Sequence, residues 1–385
     1  MVKRPLLAAS IWWALNAASS PSENLSAARE LDATIERFYA YPEKLPGGTL
    51  PRSIRLDTAR AAVSDQKSLL RYAEDRVASL ADHHAITGSS FADSWAVIPT
   101  YADLWIAARN DQFVVEAVRD NSPAMRAGVT VGDKIIAIDG IEASAAVDAF
   151  WSKLGLAVTP RRADYAARVL AAGRRDRDRV LTFKDANGLT RRLTLPSLYR
   201  SAKGEPPLTV ASIGGGTHIR FNDSLGNDTT IAAFDAAMSL VPAGRELVLD
   251  LRETPSGGNT TVARAVMGWF VERPTSYQVH NRPAEARETG IARQWVEQVL
   301  PRRGKYRRRL PSVLVGRWTG SMGEGLAIGF ATMGAEVRGS RMAGLNGSVE
   351  DFGLADAGLS IKLPTERLMT TTYQPREDFT PKPMR

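Results

Sequence analysis

A serine at a strand-to-helix turn is the residue whose position points most directly to chemistry. The segment 312–330, SVLVGRWTGSMGEGLAIGF, begins as an apolar strand, turns at residues 318–320 and continues as a helix that Ser321 opens. A hydroxyl there lies beside free backbone N–H groups and the positive end of the helix dipole. These groups stabilise negative charge on an attacked carbonyl, although an ordinary N-cap serine occupies the same position.

A pair of glycines follows a second apolar strand. The segment 247–260, LVLDLRETPSGGNT, places Gly257 and Gly258 just beyond strand-forming residues. In open α/β sheets, ligands collect at the carboxyl ends of strands, so both this loop and Ser321 lie where a site is expected. Glycine lets backbone N–H groups approach a substrate closely, as an oxyanion hole requires, but many turns also use a glycine pair.

The composition restricts the groups that can act with Ser321. The chain has no cysteine and four histidines, two of which are adjacent in the segment 79–90, SLADHHAITGSS. A cysteine nucleophile, disulfides and thiolate metal sites are therefore excluded. Metal catalysis is not expected, because the histidines do not have a metal-ligand spacing such as HExxH.

A third motif lies upstream, in residues 122–140. The sequence SPAMRAGVTVGDKIIAIDG predicts a Ser-Pro turn, a short helix that Gly128 ends, a tight turn and an apolar strand. This segment resembles a PDZ domain, a module that binds extended peptide tails by adding a strand to a sheet edge. The resemblance implies that ADLWIAARN, residues 102–110, supplies the peptide-binding edge through Leu104, Trp105 and Ile106, although the glycine-rich loop of classical members is missing.

The two downstream segments together resemble the C-terminal processing (tail-specific) peptidase family, whose tricorn core enzymes are distant members. The shared patterns are DLRxxxxGG and TxSxGE, and with the PDZ motif the resemblance extends from about residue 25 to the end. It implies that Ser321 is the nucleophile and that an oxyanion hole forms from the backbone N–H groups of Met322 and of Gly257 or Gly258. Glu324 falls at a structural position of the family.

The catalytic base departs from the tail-specific pattern. That branch uses a lysine about two dozen residues after the serine, but the segment 339–350, GSRMAGLNGSVE, contains none, and Leu345 or Asn346 falls in its place. The LADHH segment is similar to the LxDxHT motif of the tricorn-like branch, which implies His84 as the base. If His84 titrates like an ordinary histidine, activity rises through about pH 6–7. The lesser candidates are His83, His218 and His280.

The group that orients the histidine is the least defined. The tricorn-like branch supplies a glutamate from near its C-terminus, which implies Glu377 in the segment QPREDFTP. Asp82 and Ser89 are the alternatives.

Length and periodicity predict a multidomain α/β chain. The 385 residues exceed what one core normally holds. We predict a signal peptide at 1–20, an N-terminal helical domain at 21–95, a PDZ-like β domain with an insertion at 96–200, and an α/β serine peptidase core at 201–385. Strands and helices alternate after residue 212, which predicts a mostly parallel sheet. The resemblance implies a core of the ClpP/crotonase-like type.

The N-terminus and the charge distribution bear on location and partners. A basic start, the apolar run 5–17 and small residues at 17–20 are typical of a secretory signal, although a buried first helix is the alternative. We therefore expect an exported protein, in the periplasm or at the periplasmic face of the inner membrane, with possible peripheral or signal-anchored association.

The net charge is +8, but the basic clusters at 174–179 and 302–309 are poor in aromatic residues, which disfavours nucleic acid as a partner.

The sequence thus predicts a serine-type endopeptidase that cleaves unfolded or tail-presented polypeptides and needs no cofactor. Three alternatives stay open. One is a catalytically weak PDZ-containing peptide-binding or scaffold protein, which the missing lysine favours. The others are an acyl hydrolase on the same core and a binding protein for an apolar ligand.

Overall fold

The computed structural model describes residues 19–200, 204–255, 257–354 and 357–384. Residues 1–18 of the predicted signal peptide lie outside this part of the chain. Within the described residues, no helix combines the length and hydropathy that a membrane span requires.

The N-terminal unit consists of three helices and a short strand. They are α1 (Pro21–Phe38), α2 (Ile54–Ala61), α3 (Gln66–Ala78) and β1 (Ile86–Thr87). Ser20 and Glu23 form a capping box that starts α1. Helices α2 and α3 are separated by a break at 62–65. Asp65 caps α3 by accepting the Ser68 N–H, so a new helix begins there without any glycine or proline.

The PDZ-like unit is a six-stranded antiparallel sheet with helices. Its elements are β2 (Leu104–Arg109), β3 (Gln112–Val118), α4 (Pro123–Arg126), β4 (Lys134–Ile138), β5 (Ile141–Glu142), α5 (Ala143–Ser152), α6 (Pro160–Ala172), β6 (Arg179–Lys184) and β7 (Thr190–Leu195). The strand order is β2-β3-β4-β6-β7, with β5 beside β4. Gly128, at φ +76°, ends the motif helix, and α5 and α6 occupy the extra length predicted after residue 143.

The C-terminal unit contains the remaining elements. They are β8 (Leu208–Ile213), β9 (Gly216–Phe221), α7 (Thr229–Leu240), β10 (Leu247–Asp250), α8 (Thr260–Met267), β11 (Thr275–Asn281), α9 (Pro283–Thr289), β12 (Gln294–Val299), β13 (Ser312–Val315), α10 (Met322–Thr332), β14 (Glu336–Gly339), β15 (Ser348–Leu354) and β16 (Leu359–Met369). The alternation of β9, α7, β10, α8, β13 and α10 agrees with the strand–helix pattern of the sequence.

Two five-stranded sheets organise this unit. In the first, ordered β14-β13-β10-β9-β8, the pairings are parallel except β8 with β9. The second, β1-β16-β11-β12 with β15 beside β16, is antiparallel throughout. The predicted mostly parallel sheet is therefore not confirmed, since antiparallel pairings dominate the described residues. The strands of the second sheet lack the regular alternation with helices that suggested parallel pairing.

The packing brings the N-terminal unit onto the C-terminal one. Leu31 and Leu69 of the helices share a buried cluster with Ile361 and Leu363 of β16. Strand β1 pairs with the same β16, and Ile86 lies opposite Lys362. The segment that carries His84 is therefore fixed against the sheet of the unit that carries Ser321.

Candidate active site

Ser321 occupies a strained turn between β13 and α10. Its backbone has φ 50° and ψ −112°, a conformation that residues with a Cβ rarely adopt. Neighbouring hydrogen bonds hold the turn: the Gly320 N–H donates to Thr254 O at 3.0 Å and the Thr319 hydroxyl to Leu251 O at 2.8 Å. These bonds tie the nucleophile turn to the loop after β10.

His84 contacts the hydroxyl of Ser321. Its Nε2 lies 3.0 Å from Ser321 Oγ, and its Nδ1 lies 2.7 Å from the backbone oxygen of Asn346. Because a carbonyl oxygen can only accept, Nδ1 carries the ring hydrogen and Nε2 holds the free lone pair. The imidazole is thus in the tautomer that can take a proton from the serine hydroxyl.

The surroundings of His84 keep the ring neutral. Burial, and then the charge of the Arg376 guanidinium, lowers the pKa of His84 to about 4. The bond to Asn346 and the carboxylate of Asp82 act in the opposite direction but do not cancel the effect of burial. The base form therefore dominates at neutral pH.

A buried carboxylate holds the group that orients His84. The Asn346 amide donates to one oxygen of Asp82 at 2.7 Å, and Tyr39 Oη donates to the same oxygen at 2.7 Å. The backbone N–H of His84 donates to the other oxygen at 2.9 Å. Lys44 Nζ donates to Asn346 Oδ1 at 2.5 Å, so both ends of the Asn346 side chain are bound. Asp82 thereby holds Asn346 in place, and the backbone carbonyl of Asn346 in turn orients the imidazole ring of His84.

The prediction of Glu377 as the orienting group is wrong in this structure. The only ring nitrogen available for that role, His84 Nδ1, is bonded to Asn346 O. Glu377 instead accepts from Lys44 Nζ at 3.2 Å. Ser89, the other alternative, is excluded for the same reason, and Asp82 acts one group further from the ring than the sequence interpretation placed it.

Glu324 joins the nucleophile turn to the loop that precedes Asn346. Its fully buried carboxylate accepts from the N–H groups of Ser321, Gly344 and Leu345 at 2.9, 2.8 and 3.2 Å. Burial raises the pKa of Glu324 to about 7, against the opposing effects of Arg376 and these N–H groups. The structural position that the family resemblance implies is thus a clamp on the active-site loop.

Asn346 and Arg376 are the functional residues that sequence reasoning missed. The buried Arg376 guanidinium donates to Leu345 O at 2.9 Å and to Gly347 O at 2.8 Å, on both sides of Asn346. The sequence contains one indirect signal for this loop, because Leu345 or Asn346 falls where the tail-specific branch has its lysine. Arg376 lies beside the predicted Glu377, but it contacts the loop around Asn346 and not the imidazole ring.

Two of the residues predicted to form the oxyanion hole, Met322 and Gly257, lie next to Ser321. Met322 opens α10, and its N–H has no acceptor among the described residues. A Cβ on Gly258 would lie 2.4 Å from Leu225 O, so only glycine fits there. A Cβ on Gly257 would lie 3.0 Å from Ser321 Oγ, in the space that an attacked carbonyl must enter. The geometry is therefore compatible with Gly257 facing the reacting carbonyl.

We expect the Gly257→Ala variant to fold but to lose about 10²- to 10³-fold in kcat, because the methyl group displaces the carbonyl from its N–H donors. Gly244→Ala is the matched control, since a Cβ there meets nothing within 4 Å. Steady-state hydrolysis and thermal unfolding of both variants test this. Equal activity of the two would remove Gly257 from the site.

The three other histidines are engaged away from Ser321. His83 Nδ1 lies 2.6 Å from Val97 O, His218 Nε2 lies 3.4 Å from Asp250 Oδ2, and His280 contacts Glu297 at 3.1 Å and Glu366 at 2.9 Å. Only His84 is therefore placed to act on Ser321.

The predicted peptide-binding edge of the PDZ-like unit is not open. Strand β2 does lie at the edge of its sheet, but Leu104, Trp105 and Ile106 are each at most 1% exposed. Helix α6 packs along the strand where a peptide would pair. This corrects the expectation that the three residues present a free binding surface.

Two side chains of α6 occupy backbone groups of that edge. Arg168 Nε donates to Ile106 O at 3.0 Å, and the Ala108 N–H donates to Asp164 Oδ1 at 3.0 Å. Arg168 and Asp164 also form an ion pair with each other. An added strand needs the same donor and acceptor, so a peptide must displace these side chains before it can pair with β2.

The PDZ-like unit instead contacts the active-site loops. Trp105 forms a buried cluster with Ala343 and Leu345, directly before Asn346. Ala102 O accepts from Trp318 Nε1 at 2.7 Å, next to the nucleophile turn. The unit therefore supports both the loop that orients His84 and the turn that carries Ser321.

Comparison with known proteins defines the class to which this fold and site correspond. Residues 114–146 match the family model of the PDZ domain, and residues 219–381 match that of Peptidase family S41. A search of the curated proteins finds no match. The family match makes the chain a serine peptidase, and therefore a hydrolase, with a mixed α/β multidomain fold.

Among solved structures, the chain is similar to a photosystem II D1 C-terminal processing protease, with a TM-score of 0.58 and 17% identity over 94% of this chain and 93% of that one. It is also similar to mature CPAF in complex with lactacystin, with a TM-score of 0.55 and 13% identity over 94% and 93% of the two chains. At these identities the likeness concerns the fold.

Proposed function

We propose that the protein is an endopeptidase of the Ser/His type, in which Ser321 is the nucleophile and His84 the general base. The observation that carries the proposal is the 3.0 Å contact between His84 Nε2 and Ser321 Oγ, with the other ring nitrogen bonded to Asn346 O. The absence of a lysine from the segment 339–350 agrees with a tricorn-like rather than a tail-specific base.

The acylation step uses each of these groups. Ser321 Oγ attacks the scissile carbonyl carbon while its proton passes to His84 Nε2. The developing oxyanion is held by the N–H groups of Met322 and Gly257. The charge on the protonated imidazole is balanced by Asp82, which binds both the His84 backbone and Asn346. His84 then protonates the leaving amine, and an acyl-enzyme is left.

Deacylation reverses these roles. His84 takes a proton from water, the hydroxide attacks the ester on Ser321, and the histidine returns the proton to Ser321 Oγ as the acid product leaves. The group that orients His84 is a neutral carbonyl and not a carboxylate. Because a backbone carbonyl is too weak a base to take the proton, the hydrogen on Nδ1 stays in place throughout both steps.

The substrates we propose are unfolded polypeptides that reach an exported enzyme. The carbonyl must enter between Gly257 and Ser321, a space that one methyl group would fill, and only an extended chain presents its backbone in this way. The closed β2 edge favours direct entry of such chains over prior capture of a tail. Tail capture requires release of Arg168 and Asp164 from the strand.

Hydrolysis of unfolded casein by the full chain tests this function. We expect new peptide termini to appear, a natively folded substrate of similar size to resist, and p-nitrophenyl acetate to give at most slow turnover. Rapid ester turnover without peptide cleavage would favour the acyl hydrolase. The absence of both activities in a folded protein would favour the binding or scaffold protein.

The pH dependence of kcat/KM should show two steps. The larger step is expected at pH about 4, where His84 loses its proton, rather than at the 6–7 expected of an ordinary histidine. A smaller step is expected near 7, because protonation of Glu324 below that pH weakens its hold on the loop before Asn346. The Glu324→Gln variant should keep only the first step. A single step at 6–7 that persists in this variant would contradict the lowered pKa of His84.

A further inference from the structure

A second cavity lies behind the histidine segment, apart from the catalytic groups. It has a volume of about 310 Å³, opens to the surface, and is bounded by α3 of the N-terminal unit, the residues that follow His84, and α5 and α6 of the PDZ-like unit. Neither Ser321 nor His84 lines it. The proposed peptide hydrolysis does not use this space.

The inner wall of the cavity is apolar. Val77, Leu154, Tyr165 and Leu170 line it and are each at most 5% exposed. Pockets of about 300 Å³ or more with such a lining are the usual form of small-molecule sites. An extended peptide would bury amide groups against these side chains without partners, whereas a methylene chain requires none.

The cavity lining contains more cationic than anionic side chains. Arg71 pairs with Glu74, and Lys153 pairs with Asp75. The third carboxylate of the lining, Asp139, accepts from the Val180 N–H at 3.2 Å and pairs with none of the four cations. The other two cations of the lining are Arg174 and Arg175, and both are partly exposed.

Arg174 and Arg175 have no carboxylate within ion-pair distance among the described residues. Arg174 donates to the backbone oxygen of Asp93 at 2.9 Å and stacks on Trp95 at 3.7 Å. Arg175 contacts the Ser90 hydroxyl and stacks on Tyr199 at 4.6 Å, and its buried Nε has no hydrogen-bond partner among the described residues. Two adjacent guanidinium groups at an apolar cavity are thus available to an anion.

We propose that this cavity binds a fatty acid, with its chain against the apolar wall and its carboxylate at Arg174 and Arg175. The inference goes beyond the proposed peptidase activity and does not depend on it. It also gives a role to the basic segment 174–179, whose sequence did not fit a nucleic-acid surface.

A bound chain would touch the segment that carries the catalytic histidine. Ala85 and Ile86, directly after His84, line the cavity, and so does Tyr165, whose ring stacks on His83 at 4.4 Å. A ligand that fills this space binds the folded state and raises its stability by mass action.

Isothermal titration of the full chain carrying Ser321→Ala with dodecanoate, below its micellar concentration, tests the proposal without any need for hydrolysis. We expect saturable binding at one site and a rise in melting temperature. Dodecan-1-ol and dodecyltrimethylammonium, which have the same chain without the anion, should bind at least about tenfold more weakly. Equal binding of all three compounds, or no binding of dodecanoate, would overturn the proposal.

Three variants locate the ligand. Ala149 lines the cavity and is exposed, so Ala149→Trp should fill the space without breaking the core and should abolish binding. The double variant Arg174→Gln, Arg175→Gln should lower affinity about tenfold for dodecanoate and leave dodecan-1-ol unchanged. Arg177→Gln, which removes an exposed arginine outside the lining, is the matched control. Wild-type affinity in Ala149→Trp would place the fatty acid elsewhere and contradict the proposal.

Discussion

Replacement of Ser321 by alanine is expected to lower kcat for casein hydrolysis by about 10⁴- to 10⁶-fold. The change removes the nucleophile itself, and the remaining N–H donors can only assist slow attack by water. The fold should persist, because the side chain contributes one hydrogen bond, to His84. We therefore expect a melting temperature within about 3 °C of the wild type.

Ser340→Ala provides the control for this variant. Ser340 is exposed and lies in the same unit, and its hydroxyl makes only a long contact to Arg341 O at 3.4 Å. Its removal should leave hydrolysis unchanged. Activity of Ser321→Ala at the level of Ser340→Ala would show that another group attacks the substrate.

Replacement of His84 by alanine is expected to lower kcat by about 10³- to 10⁴-fold, because the serine hydroxyl then has no base and the leaving amine no acid. The residual activity should increase with hydroxide concentration up to high pH, since the step at pH about 4 belongs to the imidazole. Rates measured from pH 4 to 9, with circular dichroism at each pH, test both points.

The His83→Ala variant is the control for His84→Ala, because it distinguishes a catalytic role from a packing role of the two adjacent histidines. His83 precedes the proposed base, bonds to Val97 O and stacks on Tyr165, so its loss should affect stability more than kcat. His84→Ala should lower kcat more than it lowers stability. If His83→Ala lost as much kcat as His84→Ala with both proteins folded, the two histidines would not have the distinct roles assigned here.

The residues of the proposed dyad were accessible from the sequence because each belongs to a local pattern. Ser321 follows an apolar strand and opens a helix, a position that an ordinary N-cap serine also takes, and it was selected because the DLRxxxxGG and TxSxGE patterns resemble the tail-specific peptidase family. His84 was selected because the LADHH segment resembles the LxDxHT motif of the tricorn-like branch, and in the structure the Asp82 carboxylate accepts the backbone N–H of the histidine. Short motifs of this kind can be recognised in a sequence without knowledge of the tertiary fold.

The orienting group was not accessible in the same way. Asn346 acts through its backbone oxygen, a group that every residue has, so its identity gives no direct signal. The position of that oxygen depends on Glu324 and Arg376, which hold the flanking residues from two other parts of the chain. Only the folded structure brings these contacts together.

The closed edge of the PDZ-like sheet is another feature that the sequence did not predict. The motif at 122–140 predicted the strand, turn and helix of the unit, but not the side chains that cover β2. Arg168 and Asp164 lie about sixty residues beyond that strand, in a helix that the sequence interpretation treated only as an insertion. Similarly, the antiparallel second sheet joins β1 to β16 across almost the whole chain, and a local strand–helix pattern does not indicate such pairing.

The most direct test of the Ser321–His84 pair is covalent labelling with a fluorophosphonate, followed by mass spectrometry of the peptides. The account predicts a single adduct on Ser321 Oγ in the wild type, and a labelling rate at least about 100-fold lower in His84→Ala, because only the imidazole can remove the hydroxyl proton. Labelling of Ser321 at the same rate in both proteins, or an adduct on another residue, would contradict it.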